Sequence, residues 1–242
     1  MPHFAASSKA QTPGNCLPRV RDGGGNGIIS SMKIDSRQTV QVGPYEVNCS
    51  ILGIGGEAWI VDPGSEAGRI AELCRKAGLE PRAVLLTHAH FDHICGLPAL
   101  AAAFPEMPIY IGRNDMDIIT HPMNNMPPEY PGIERPKKLV DASALEAFGG
   151  LKVISTPGHT PGGVCYLFTE SGILFSGDTL FAGSVGRTDF PGGDMVLLMR
   201  SLRPLAELPD ETVVIPGHGP ATTIGREKAV NPYLRAACGL GR

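Results

Sequence analysis

The 242-residue chain lacks both an excess of positive charge and a long hydrophobic run. Its 21 Lys and Arg residues stand against 24 Asp and Glu, a formal charge of −3, which disfavours nucleic acid or an anionic membrane as a partner. No apolar stretch approaches the roughly 18 to 20 residues that cross a bilayer, and the amino terminus lacks the apolar segment of a secretory signal. We therefore predict a cytoplasmic protein without nucleic-acid or membrane partners.

The six cysteines form no C-x-x-C pair, which is the close spacing that zinc ribbons and redox motifs use. We interpret them as reduced, mostly packed thiols rather than disulfides. Reduced thiols are typical of a cytosolic or similarly reducing compartment.

Residues 1–31 contain the stretch GGGNG at 23–27 and show neither helical nor strand periodicity. We interpret them as a flexible N-terminal tail or an expression remnant, with a transit peptide as the alternative and Met32 as a second start. Residues 32–242 are predicted to form a single catalytic domain. The segment after His218 has room for one helix around 225–237, and no added C-terminal helical domain is expected.

Apolar runs with β character recur along the chain after Met32. Residues 38–65 are predicted to form successive antiparallel strands with a turn at 53–56, and residues 66–81 a helix that Gly78 closes. Later runs at 83–87, 151–156, 173–177 and 212–215 each lead into a histidine or an aspartate. At 157–159 and 216–218 the tripeptide Pro-Gly-His stops the strand and turns the backbone, so the next side chain can face a shared cleft.

Five of the seven histidines and two aspartates stand at these strand ends. The loop HAHFDH at 88–93 cannot present all of its polar side chains from one face of a regular strand or helix, so we predict a tight loop that serves two ions. Imidazole and carboxylate are suitable ligands for zinc, iron or manganese. The predicted groups are His88, His90 and His159 for the first ion, and Asp92, His93 and His218 for the second.

Asp178 completes this predicted ligand set. Its carboxylate has two oxygens and can therefore bridge both ions, as binuclear hydrolases require. We predict two divalent metal ions, with zinc first and iron or manganese as alternatives. Two cations that share a water would give hydroxide near neutral pH, and Asp92 could orient that hydroxide as a catalytic residue.

The motifs THAHFDH, PGHT, SGDT and PGHG resemble those of the metallo-β-lactamase fold superfamily. The stretches GDTLFAGSVGRTDFPGG and VIPGHGPATT are similar to its glyoxalase II-like (hydroxyacylglutathione hydrolase-like) branch, and the resemblance covers about residues 38–235. It implies an α/β (α+β) fold, a four-layer αββα sandwich of two mixed β-sheets with the metals at one edge. It also implies that Asp62 supports the histidine loop, although a plain turn role is equally compatible.

The same resemblance implies a small-molecule thioester substrate, such as an S-acylglutathione, cleaved by a metal-bridging hydroxide. A thiolate leaves without prior protonation, so no general acid is required. Arg187 lies near where the family places a basic glutathione contact, and a solvated loop arginine is the alternative reading.

Other functions stay open at this point. Persulfide dioxygenases of the same fold use a single iron on the equivalents of His88, His159 and Asp178, which makes a mono-iron persulfide dioxygenase the main alternative. A metal-storage module would keep the ligands without turnover. A serine hydrolase would need Ser184, but its AGSVG stretch lacks the first glycine of the G-x-S-x-G elbow. β-Lactam cleavage is disfavoured because several such enzymes place a cysteine where Asp178 stands.

The segment 117–136 is rich in Pro and Met and has no clear periodicity, as is typical of a lid over an active site. His121 lies within it and is not predicted to bind metal, since the ligand set is complete without it. The oligomeric state and the acyl and thiol parts of the substrate are not predicted.

Overall fold

The computed structural model describes residues 21–22, 25–28 and 31–239. Most of the predicted tail at 1–31 lies outside the described residues. Its described part contains two short strands, β1 (Arg21–Asp22) and β2 (Gly25–Ile28), which pair antiparallel. The sequence pattern did not indicate this pairing.

Two larger sheets carry the remaining architecture. The strands of the first sheet are β3 (Ser36–Val42), β4 (Val47–Ile54), β5 (Glu57–Val61), β6 (Glu80–Leu85), β7 (Ile109–Ile111) and β8 (Leu139–Asp141). The other strands are β9 (Leu151–Ser155), β10 (Val164–Phe168), β11 (Ile173–Gly177), β12 (Leu180–Phe181), β13 (Ser184–Val185), β14 (Val213–Pro216) and β15 (Thr222–Thr223). The α-helices are α1 (Ala67–Lys76), α2 (Phe91–Ile94), α3 (Leu97–Ala103), α4 (Met195–Ala206), α5 (Ile224–Val230) and α6 (Pro232–Ala237). Short 3₁₀ helices cover Arg113–Asp115, Ile118–Thr120, Pro122–Asn124 and Ala142–Ala147.

The first sheet has six strands in the order β3-β4-β5-β6-β7-β8. The predicted antiparallel start is confirmed, because β3, β4 and β5 pair antiparallel. Gly55 and Gly56 join β4 to β5 with φ of 58° and 83°, and two positive φ values define the turn that matches the twist of a hairpin. The predicted helix forms as α1, which carries the chain over to β6, parallel to β5; β7 and β8 continue in parallel.

The second sheet has five strands in the order β15-β14-β11-β10-β9. β9, β10 and β11 pair antiparallel, whereas β14 lies parallel to β11. Helix α4 lies in the crossover between these two parallel strands. Both large sheets are therefore mixed, as the sequence analysis predicted.

Successive side chains of each strand point to opposite faces of its sheet. The apolar interior therefore has three parts, one between the sheets and one between each sheet and its helices. Leu52, Trp59 and Tyr166 point between the two sheets, where Trp59 stacks on Tyr110 with 6.4 Å between ring centroids. Ile51 and its outward-facing neighbours pack beneath α1 and α3, and the outer face of the second sheet packs beneath α4, α5 and α6. The four-layer αββα sandwich is therefore confirmed. Among the described helices, none combines the length and apolar character needed to cross a bilayer.

The segment that follows β15 forms two short helices, which corrects the expectation of a single helix at 225–237. The break lies at Asn231 and Pro232. Proline has no N–H and cannot continue the helix bonds of α5. The Asn231 side chain caps α6 instead, accepting hydrogen bonds from the backbone N–H of Tyr233 at 3.0 Å and of Leu234 at 3.3 Å.

Candidate metal centre

All seven predicted ligands follow the carboxyl ends of strands at the same edge of the sandwich. The loop after β6 and the short helix α2 come from the first sheet, and the loops after β9, β11 and β14 come from the second. The first sheet supplies His88, His90, Asp92 and His93, and the second supplies His159, Asp178 and His218. The sequence prediction that these side chains gather in space agrees with the structure.

Three histidines meet at the inner part of the cluster. His90 Nδ1 lies 2.8 Å from His159 Nε2, which in turn lies 3.3 Å from His88 Nε2. All three residues are buried. Their nitrogens converge on one point, as the predicted three-histidine group requires.

The carboxylates connect this group to the remaining histidines. Asp178 Oδ2 lies 3.5 Å from His159 Nε2 and 3.7 Å from His218 Nε2, and its Oδ1 lies 3.5 Å from His93 Nε2. Asp92 Oδ2 lies 3.2 Å from His218 Nε2. The His218 side chain is 28% exposed whereas that of Asp178 is 11% exposed, so the cluster opens to solvent on the His218 side.

The donor atoms fit a metal centre. They form three overlapping groups, in each of which the potential ligand atoms lie within 4.8 Å of one another. His93 Nε2 and Asp178 Oδ1 are buried and have no hydrogen-bond partner, and buried polar atoms are rarely left without one. A bound cation would satisfy both. The groups are His88, His90 and His159; His88, His93 and Asp178; and Asp92, His93 and His218.

Hydrogen bonds on the far side of the rings orient three of the histidines. His159 Nδ1 donates to the backbone carbonyl of Arg187 at 2.6 Å, and His218 Nδ1 donates to that of Tyr45 at 2.9 Å. His88 Nδ1 lies 3.1 Å from Thr87 Oγ1. Each contact leaves Nε2 free to bind a metal, the arrangement that fixes the tautomer of metal-binding histidines.

Asp62 supports the histidine loop from behind. Its carboxylate accepts hydrogen bonds from the Thr87 backbone N–H at 2.8 Å and from Thr87 Oγ1 at 2.7 Å, and its Oδ2 lies 3.1 Å from His93 Nδ1. The residue is buried, and its backbone φ of 48° is unusual for a residue other than glycine. Of the two readings left open by the sequence, the supporting role is the one that these contacts match.

Glycines allow the backbone to approach the ligands closely. A Cβ on Gly217 would lie 2.2 Å from Asp178 Oδ1 and 2.7 Å from His93 Cε1. A Cβ on Gly186 would lie 1.9 Å from the Asp178 carbonyl oxygen. Both distances are well inside van der Waals contact, so no larger residue fits at either position while the ligands stay where they are.

The electrostatic environment favours the metal-binding forms of most ligands. Burial lowers the pKa of His90 to about 3 and that of His88 well below its usual range. Burial opposes ionisation of Asp178, yet the nearby His93 and His159 hold the pKa of its carboxyl below the usual range. For His93, burial is outweighed by Asp92 and Asp62, and its pKa is raised. Because ligands bind metals in their deprotonated forms, the raised pKa of His93 opposes metal binding at this ligand as the pH falls.

Aromatic side chains lie against two histidines of the cluster. The Phe190 ring meets the His90 ring edge-on, with 5.4 Å between the ring centroids. The Phe181 ring meets the His218 ring edge-on as well, with 6.3 Å between the centroids. The exposed Arg187 places its guanidinium carbon 4.0 Å from the Phe190 ring centroid and makes two 2.7 Å hydrogen bonds to Asp189. Arg187 therefore lies beside the site, but its charge is paired.

Two other candidate side chains, those of Ser184 and His121, belong to none of the three ligand groups. Ser184 is in the two-residue strand β13, and its hydroxyl lies 3.5 Å from the Val185 carbonyl oxygen; it is not on a strand-to-helix elbow. His121 is exposed, and its Nδ1 accepts a hydrogen bond from the Met123 backbone N–H. The segment 117–136 has buried anchors at Ile119 and Tyr130.

The sequence analysis missed two buried polar residues next to the centre. Asp115 ends the 3₁₀ turn after β7, and its carboxylate accepts hydrogen bonds from the Ala89 and Gly162 backbone N–H groups and from Thr160 Oγ1. Asn124 donates through Nδ2 to the Ala89 carbonyl at 2.7 Å. Asp115 follows the apolar run at 109–111 only after Gly112, Arg113 and Asn114, so its signal was weaker than that of the ligands. Asn124 has no such signal.

Comparisons with known proteins agree with this geometry. The family model described as Metallo-beta-lactamase superfamily matches residues 42–218. The chain is 34% identical over 212 residues to hydroxyacylglutathione hydrolase GloC of Haemophilus influenzae, an alignment that covers 82% of this chain and 98% of that protein. Its structure is similar to that of the BLEG-1 B3 metallo-beta-lactamase, with a TM-score of 0.73, 34% identity, and coverage of 82% and 99%. It is also similar to TTHA1623 in a di-iron-bound form, with a TM-score of 0.67, 38% identity, and coverage of 81% and 99%.

An αββα sandwich with histidines and aspartates gathered at one edge of its sheets is the architecture of a class of metallo-hydrolases. The chain belongs to the metallo-beta-lactamase superfamily, since the family model covers most of its length. The predicted family and fold are both confirmed.

Proposed function

We propose that this protein is a hydrolase that holds two divalent metal ions, zinc first, and cleaves thioesters such as S-acylglutathiones. The observation that carries the proposal is the overlap of the three ligand groups. His88 belongs to two of them, and so does His93. One compact cluster thus offers more donors than a single ion needs, and the similarity to GloC over nearly its full length supports a thioester substrate.

Each proposed ligand has a defined task. The three-histidine group would hold one ion, and Asp92, His93 and His218 would hold the other. Asp178 has oxygens on both sides of the cluster, which suits it to bridge the two. When bound, the ions would supply Lewis-acid activation of water and of a carbonyl group.

The chain's own residues then orient the reactants. Asp92 Oδ2 lies 3.2 Å from His218 Nε2, and the second carboxylate oxygen can accept a hydrogen bond from an attacking water and so orient it. The aromatic rings of Phe181 and Phe190 lie beside His218 and His90 and would contact the acyl or thiol part of the substrate. Arg187 lies over the Phe190 ring and is paired with Asp189, and a substrate carboxylate could share its charge.

A mono-iron persulfide dioxygenase is the second candidate. The residues that would hold one iron also lie together, with His159 Nε2 3.3 Å from His88 Nε2 and 3.5 Å from Asp178 Oδ2. The ligand cluster is compatible with either reaction, so substrate turnover has to decide between them.

The deciding experiment combines metal analysis with three assays on one preparation. We expect about two metal ions per chain and turnover of a glutathione thioester panel. Chelation should abolish that turnover, and added zinc, iron(II) or manganese should restore it. One iron per chain with oxygen uptake on glutathione persulfide would replace the proposal with the dioxygenase, and cephalosporin cleavage without thioester cleavage would replace it with a β-lactamase.

A cytoplasmic location is part of the proposal. Among the described residues, five cysteines are free thiols, and thiols persist in reducing compartments. Fractionation of cells that express the protein tests this. Recovery outside the cytoplasmic fraction would contradict it.

A further inference from the structure

His90 differs from the other histidines of the cluster in how it is held. His88, His159 and His218 each place Nδ1 against a neighbouring oxygen, and His93 Nδ1 lies 3.1 Å from Asp62. His90 presents Nδ1 to the cluster, and its other ring nitrogen, Nε2, is buried without a hydrogen-bond partner. No polar contact at that nitrogen fixes the ring, so its place depends on the backbone that carries it.

That backbone is held on both sides of Ala89, the residue between His88 and His90. The Ala89 N–H donates to Asp115 Oδ2 at 3.0 Å, and the Ala89 carbonyl accepts from Asn124 Nδ2 at 2.7 Å. Both holding residues are almost completely buried. The peptide groups on either side of Ala89 are therefore fixed by side chains whose hydrogen bonds go to residues other than the predicted metal ligands.

Asp115 also holds the loop that carries His159. Its carboxylate accepts a hydrogen bond from Thr160 Oγ1 at 2.7 Å and one from the Gly162 N–H at 2.6 Å. A Cβ on Gly162 would lie 2.3 Å from the Asp115 backbone nitrogen and 2.8 Å from Asp115 Oδ1, so only glycine allows this approach. One carboxylate thus connects the histidine loop of the first sheet to the loop after β9 in the second.

We propose that Asp115 is a positioning residue that sets the separation of His90 and His159, and that Asn124 assists it at the Ala89 carbonyl. The inference rests on the metal site of the proposed function, because the two histidines belong to the same three-histidine group. Its consequence concerns metal binding directly. Without the Asp115 carboxylate, the two loops lose the hydrogen-bond acceptor that they share. The ring nitrogens of the three-histidine group then no longer converge in the metal-free protein.

The test compares Asp115→Asn with wild type by Co²⁺ binding in competition with a chromophoric chelator and by the visible absorption of bound Co²⁺. Loss of a residue that orients metal ligands typically weakens metal affinity roughly 10- to 100-fold. We expect a shift of that size for Asp115→Asn, together with altered absorption bands. The thermal melting of the metal-free proteins is measured in parallel to separate stability from ligand geometry.

Glu227→Gln is the matched control. Glu227 is as completely buried as Asp115, and it also accepts three hydrogen bonds, from the Gly183 N–H, Thr222 Oγ1 and Asn231 Nδ2. None of these donors belongs to the loops at 88–93 or 159–163. We expect Glu227→Gln to lower the melting temperature but to keep the Co²⁺ affinity and the spectrum of wild type.

Wild-type Co²⁺ affinity and spectrum in Asp115→Asn would overturn the inference, even if thioesters are cleaved. If Asp115→Asn does not fold, Asn124→Ala decides instead. It should weaken Co²⁺ binding several-fold, and unchanged binding would equally overturn the inference. A wild-type protein that binds Co²⁺ but cleaves no thioester would refute the proposed function and leave the inference standing, whereas one that binds no Co²⁺ would refute both.

Discussion

A single added methyl group at Gly217 would test whether the seven side chains form one compact centre. The Cβ of Gly217→Ala would lie 2.2 Å from Asp178 Oδ1 and 2.7 Å from His93 Cε1. Non-bonded heavy atoms settle at about 3.5 Å or more. Asp178, His93 or the end of β14 must therefore move by roughly 1 Å.

The size of this movement sets the expected loss. Metal–ligand distances hold to about 0.2 Å, and a misplacement of about 1 Å in an active site costs roughly 100-fold in rate. We expect Gly217→Ala to lose bound metal at limiting metal concentration and to lose about two orders of magnitude in thioester kcat/KM. Overpacking should also lower the free energy of unfolding by about 1–3 kcal/mol.

The assay measures metal per chain, kcat/KM and the melting temperature, with Gly219→Ala as the control. Gly219 lies on the other side of His218, where an added Cβ meets nothing within 4 Å. Its φ of 75° makes alanine unfavourable by about 1–2 kcal/mol, so the control loses stability without a clash. If Gly217→Ala keeps its full metal content and a rate within a few-fold of Gly219→Ala, the reasoning about a compact centre is refuted.

Three further variants test the assigned roles. Asp178→Ala should lose both ions and all thioester activity, because its two oxygens lie within 3.7 Å of three histidine nitrogens; metal analysis that finds two ions would contradict the bridging role. Ser184→Ala should keep its rate within a few-fold, and a dead variant with normal metal content would point to a serine nucleophile. Arg187→Ala should raise KM for glutathione thioesters several-fold and leave kcat nearly unchanged, since the backbone carbonyl that accepts from His159 remains; steady-state kinetics that show a fall in kcat alone would rule this out.

The ligand cluster was predicted from local signals, whereas the sandwich was predicted from the resemblance of motifs such as THAHFDH and PGHG to those of a known superfamily. Ile51 and Leu52 are both apolar and buried, and they enter different cores because successive side chains of a strand point to opposite faces of the sheet. His159, Asp178 and His218 each follow an apolar strand directly after a glycine, and the loop at 88–93 follows the apolar run at 83–87. Strands that point the same way bring their ends to one edge. For this reason the sequence alone groups His159 and His218 with the loop at 88–93.

The parts that were missed depend on contacts between distant backbone atoms. His218 donates to the carbonyl of Tyr45, 173 positions away, and a carbonyl group is the same in every residue. Asn124 lies in a segment without periodicity, so nothing in the pattern connects it to Ala89. The break between α5 and α6 was also missed, but the sequence does contain a signal for it. Asn231 is a typical helix cap, and Pro232 cannot continue the preceding helix.

The origin of the ligands in both sheets also matters for how the molecule withstands heat and storage. His88 to His93 belong to one half of the sandwich, and His159, Asp178 and His218 belong to the other, so ions held between them would cross-link the halves. Ligands that bind only the native state add about 2.7 kcal/mol when their free concentration is 100 times the Kd. A sample stripped by a chelating buffer would then be a less durable protein as well as an inactive one, and its handling history would influence every half-life measured on it.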